Sequence, residues 1–106
     1  MGGENQVLTP KINEICWLIK NENGSPKIVG FLRDHHDGFF VIGGETESHY
    51  SGHGENWQKK WEEYVKQGYL SANLAIDKGL INKDWKSPLI SKKDQEIVDK
   101  INNNLL

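Results

Sequence analysis

Three short apolar runs, each closed by a cluster of turn-forming residues, constrain this chain more than any other feature of its 106 residues. Ile15 to Lys20 reads Ile-Cys-Trp-Leu-Ile-Lys, Lys27 to Arg33 reads Lys-Ile-Val-Gly-Phe-Leu-Arg, and Phe39 to Ile42 reads Phe-Phe-Val-Ile. Short runs of β-branched and aromatic residues bounded by Gly, Asn, Asp and Pro read as strands. Asn21 to Pro26 separates the first two, and its Asn23-Gly24 pair supplies the positive φ of a tight hairpin. Asp34 to Gly38 separates the second from the third, and Gly43-Gly44 follows the third. Sequential strands joined by short turns form an antiparallel meander. Apolar residues stand at consecutive rather than alternating positions, so both faces of the sheet need cover.

Helices supply that cover after residue 55. Trp57, Trp61, Tyr64 and Val65 recur at i, i+4, i+7 and i+8, one stripe of a helix whose other faces carry charges, with Gly54 or Asn56 as cap and Gly68 just past its end. A second, shorter helix is expected from Ser71 to Lys78, ended by Gly79. Pro88 bars a continuous helix through residues 80–90. Ser91-Lys92-Lys93-Asp94 then resembles a capping box, opening a C-terminal helix with Ile97, Val98, Ile101 and Leu105 on its apolar side. The fold class is therefore α+β: a three- or four-stranded N-terminal meander packed against two or three C-terminal helices. One domain spans 1–106, with residues 1–12 as a flexible N-terminal segment. Trp17, Ile19, Ile28, Val29, Phe31, Phe39, Val41, Trp57, Trp61, Val65, Leu74, Ile97 and Ile101 are the expected core.

All four histidines lie in Arg33 to Glu55, as His35, His36, His49 and His53, with Asp34, Asp37, Glu45 and Glu47 among them. Imidazoles and carboxylates are the donors a divalent transition metal needs, so these histidines form a candidate metal site. The two groups sit at opposite ends of a strand some six residues long, roughly 20 Å apart. They meet only if Gly43-Gly44-Glu45 reverses the chain and Thr46 to Tyr50 returns as a fourth antiparallel strand. No known metal signature is present: there is no His-Glu-x-x-His and no cysteine pair.

Catalytic patterns are equally scarce. Ser48, Ser51 and Cys16 are nucleophile candidates without a nucleophile elbow, and Asp34/Asp37 or Glu45/Glu47 read as ordinary turn carboxylates before they read as acid-base pairs. Gly43-Gly44 and Gly52-x-Gly54 match no phosphate-binding loop, and Glu55 would repel an anion there. The Trp57/Trp61/Tyr64 stripe reads as core before stacking platform. Leu74 to Ile81 echoes a helix-turn-helix, but Pro88 shortens the second helix.

A net charge of −2 and a single arginine, Arg33, disfavour a nucleic-acid reader. The one alternative is a lysine-bearing helical half, with Lys59, Lys60, Lys66, Lys83, Lys86, Lys92 and Lys93. The lone Cys16 implies no disulfide, and neither a signal peptide nor a membrane-spanning run is expected, which places the protein in the cytoplasm. The functional expectation is a small non-catalytic protein-binding domain, of the inhibitor, immunity or adaptor type and without a cofactor. Its binding surface is the polar strip Asp34, His35, His36, Asp37, Glu45, Glu47 and Tyr50, which would meet a partner with a basic surface or, as a homodimer, a second copy. The competing expectation is a metal-dependent site or small hydrolase built from His35, His36, His49 and His53.

Overall fold

The computed structural model describes residues 9–43, 48–52 and 54–103. Strands β1 (Ile15–Glu22), β2 (Ser25–Arg33), β3 (Phe39–Gly43) and β4 (His49–Tyr50) come first. Helix α1 (Trp57–Lys66), strand β5 (Leu70–Ser71), and helices α2 (Ala72–Asp77) and α3 (Lys92–Asn102) follow. The strands form one antiparallel sheet in the order β4-β3-β2-β1-β5. The fold is the expected α+β architecture, with one strand more than the meander.

Asn23 and Gly24 take φ of 52° and 84°, the left-handed pair of a two-residue hairpin, and Glu22 pairs with Ser25 directly across it. Both strands therefore run two residues closer to the turn than their apolar residues alone indicate. Gly30 lies opposite Trp17, and a Cβ there would stand 2.9 Å from the indole ring, so the glycine makes room for the tryptophan.

The two faces are covered by different helices. Leu18, Val29, Phe31, Phe39 and Val41 pack with Trp57 and Trp61 of α1, and Tyr69 completes the cluster. Leu32, Phe40 and Ile42 pack with Val98 and Ile101 of α3 on the other side. The sheet is thus the middle layer, as its consecutive apolar residues require. The buried core extends beyond the expected residues to Leu18, Leu32, Phe40, Ile42, Tyr69, Ala75 and Val98, whereas Trp17, Ile28, Leu74 and Ile97 are half-buried. Val65, expected inside, is 38% exposed. At about 100° per residue it stands roughly 80° round the helix from Trp57, on the flank of the stripe.

Caps fix the helix ends. The Asn56 side chain accepts from the N–H groups of Gln58 at 2.9 Å and Lys59 at 3.3 Å, so Asn56 rather than Gly54 starts α1. Past its end Gly68 takes φ of 99° while Gly68 N–H donates to the Val65 carbonyl and Tyr69 N–H to that of Tyr64. This is a Schellman closure, completed by the edge-on contact of the Tyr64 and Tyr69 rings at 5.3 Å, and it hands the chain to β5. Ser91 caps α3 by accepting from Asp94 N–H at 3.1 Å. The Asp94 carboxylate reaches across to Ser48, whose hydroxyl donates to it at 2.8 Å. After α2 the chain makes no second helix before α3, which removes the helix-turn-helix reading. Of the N-terminal segment, Pro10 is buried and Ile12 bridges to Arg33, so residues 9–12 are tied to the sheet.

Candidate functional site

The turn Asp34-His35-His36-Asp37-Gly38 closes β2 onto β3, with Arg33 opposite Phe39. Asp34 N–H donates to the Gly38 carbonyl at 3.0 Å and Asp37 N–H to the Asp34 carbonyl at 3.1 Å, while Asp37 takes a left-handed φ of 68°. An aspartate that opens a turn reads as solvated, yet Asp34 is 1% exposed and is the one buried charged side chain among the described residues. Its Oδ1 accepts from His36 N–H at 3.2 Å, a local Asx turn. Its Oδ2 accepts from the Tyr50 hydroxyl at 3.0 Å. These bonds offset the cost of taking a carboxylate out of water.

Tyr50 arrives by the chain reversal. Strand β4 pairs antiparallel with β3, Phe40 opposite Tyr50 and Val41 opposite His49, so the 48–52 segment does return toward the Asp34 turn. Parity then decides which side chain meets it. Tyr50 shares the face of Phe40 and reaches Asp34, whereas His49 shares the face of Val41 and lies beside the Phe39 ring, centroids 6.4 Å apart. His49 lines a groove of about 500 Å³ with Phe39, Asn56, Lys59, Lys60 and Glu63. The histidines therefore divide: His35 and His36 stand together, rings 4.0 Å apart, and His49 belongs to the opposite face. His53, Glu45 and Glu47 lie outside the described residues.

The returning segment also braces the turn through its backbone. Gly54 N–H donates to the His36 carbonyl at 3.2 Å, and Ser51 N–H to the Phe39 carbonyl at 3.0 Å. A Cβ on Gly38 would overlap the Gly52 carbonyl, so only glycine permits this approach. Ser51 Oγ accepts from Phe39 N–H at 3.0 Å, with the Phe39 and Gly52 carbonyls each at 3.1 Å. Ser48 Oγ accepts from Gly43 N–H at 3.0 Å besides donating to Asp94. Both serines are thus engaged as structural clamps. Cys16 faces the groove at the β1–β5 edge with Trp17, Ser71 and Trp85, but burial, followed by the Glu14 charge, pushes its thiol up to about 11. At neutral pH it carries no useful thiolate. Burial and then the Asp34 bond push Tyr50 up to about 12, which keeps its hydroxyl a donor.

Of the proposed partner-binding residues, His36 and Asp37 are exposed, His35 and Tyr50 are half-buried, and Asp34 is inside. Asp34 supports the strip from beneath and is no part of its surface. Arg33 lies on the other side of the strand with its guanidinium 4.1 Å over the Trp57 ring. Five of the lysines form no single patch: Lys59, Lys60 and Lys66 ride on α1 and Lys92 and Lys93 on α3, the layers on opposite sides of the sheet. No helix among the described residues is long and apolar enough to cross a membrane. No protein-family model, curated protein or solved structure matches the chain.

Proposed function

We propose that this protein is a small non-catalytic binding domain, of the inhibitor, immunity or adaptor kind, that engages a basic protein surface through the Asp34–Gly38 turn. The observation that supports this reading is the construction of the turn. His36 and Asp37 are presented to solvent by backbone held from beneath by the Asp34 carboxylate and from the side by Gly54 N–H. A turn ordered before binding loses little entropy when a partner docks. Exposed Glu55 follows Gly54 directly and adds a second carboxylate to that end of the sheet. Acidic groups on a rigid rim steer a basic partner and set the rate of encounter. Glu45 and Glu47 extend the same acidic character in sequence.

Cross-linking of wild type and the double variant Asp37→Lys/Glu55→Lys in extracts of the native host tests the proposal. Both side chains are exposed, and lysine at the left-handed φ of Asp37 costs only about 1–2 kcal/mol, so the variant keeps its fold. The expected outcome is one dominant partner captured by the wild type, weakened by salt, and lost on the variant. Equal capture by both proteins would remove the turn from the interface.

A further inference from the structure

We propose that Asp34, His35 and His36 form a binding site for a single divalent transition-metal ion of the zinc, cobalt, nickel or copper type. This inference is independent of the partner-binding proposal. One donor atom from each of the three residues falls within a cluster whose members all lie within 4.8 Å of one another. Two imidazoles and one carboxylate suit these metals, whereas calcium and magnesium favour all-oxygen sets.

The second observation is the state of His35. Both of its ring nitrogens are shielded from solvent, and neither makes a hydrogen bond. Nδ1 stands 3.1 Å from Oδ1 of Asp34, close enough for an ion pair but out of line for an N–H···O bond. In the tautomer with the proton on Nε2, the Nδ1 lone pair and a carboxylate oxygen stand 3.1 Å apart, a separation one ion can bridge. An ion bound there accepts both, and it satisfies a nitrogen that is otherwise buried without a partner.

The surroundings fit a held ligand set. The Tyr50 hydroxyl occupies Oδ2 of Asp34 at 3.0 Å, which turns Oδ1 toward His35. Such outer contacts fix the orientation of metal-binding carboxylates. A tetrahedral ion with bonds of ~2.0–2.2 Å sets its donors about 3.3–3.6 Å apart; His35 Nδ1 and Asp34 Oδ1 already stand near that separation, and the His36 donor closes in by at most about 1.5 Å. His36 is exposed, and a rotamer change of its ring supplies that movement. Three protein donors leave a tetrahedral ion one further position, as in open rather than closed metal sites. His49, on the opposite face, takes no part.

Titration of untagged full-length protein with Co²⁺ near neutral pH, followed by its visible absorption and by the histidine ring signals in NMR, tests the site. The expected result is saturation at one equivalent, displacement of cobalt by zinc, and shifts of the His35 and His36 signals but not those of His49. His36→Ala, a surface change, should weaken binding by roughly tenfold or more, and the near-isosteric Asp34→Asn should do the same if it folds. His49→Ala should bind within about twofold of wild type. Absence of saturable binding, undiminished affinity in His36→Ala, or equal losses in His36→Ala and His49→Ala would each overturn the proposal, the last two by revealing adventitious surface binding.

Discussion

Asn23–Gly24 and Asp34–Gly38 both return the chain between neighbouring antiparallel strands, and they are built on different principles. The first is two exposed residues with φ of 52° and 84°, and nothing lies within 4 Å of where a Gly24 side chain would start. Its geometry is set by its own backbone. The second holds a carboxylate 1% exposed, draws on Tyr50, Gly52 and Gly54 from beyond β3, and displays two histidines. Reversal alone needs only the first kind. The turn that holds a buried charge and draws on three distant residues for its shape is where the candidate site lies.

Replacing Asp34 by Ala should break the contrast most severely. It leaves Tyr50 O–H and His36 N–H without their charged acceptor, and at ~1.5–3 kcal/mol for each such bond the loss should be about 3 kcal/mol or more in urea denaturation. A stability within 1 kcal/mol of wild type would show that the carboxylate is dispensable. The glycines sharpen the comparison next. Gly38→Ala drives a Cβ into the Gly52 carbonyl and should cost about 2–3 kcal/mol although the residue is not left-handed. Gly24→Ala meets only the strain of its φ, about 1 kcal/mol. The reverse ranking would mean that the second turn yields where the first does not.

Tyr50→Phe should have an effect as small as that of Gly24→Ala, about 1–1.5 kcal/mol at neutral pH. It carries a distinctive pH dependence. The folded state holds the Tyr50 hydroxyl at about 12 against an ordinary value of 10.0, so the neutral form is favoured by folding. That contribution is fully present below pH 10 and is lost as pH rises toward 12. Wild type should therefore lose more stability than Tyr50→Phe between pH 10 and 12, and parallel curves would detach Tyr50 from Asp34.

The same contrast explains what could be read from the sequence. The Asn23–Gly24 hairpin, the three strands and the helix periods are local signals, and the fold follows them. Strand β5 is two residues long, carries no period, and is defined by pairing with Leu18 and Ile19, far away in sequence. The Asp34 turn was legible as a polar cluster dependent on a reversal at Gly43-Gly44. That Tyr50 rather than His49 comes back to it depends on a one-residue register, which no composition encodes. The burial of Asp34 was hidden for a similar reason, since its partner lies on another strand.

Strand β5 also bears on the order in which this chain assembles. The β1–β2 pairing closes across two residues, while Ile19 and Leu70 must find one another across about fifty. Loop-closure entropy delays such a contact until the intervening elements have condensed. The Schellman closure of α1, which delivers Tyr69 and β5 to the edge of β1, thus belongs to a later stage than the β1–β2 hairpin, and the seam it closes runs over Leu18 and Ile19, both 0% exposed.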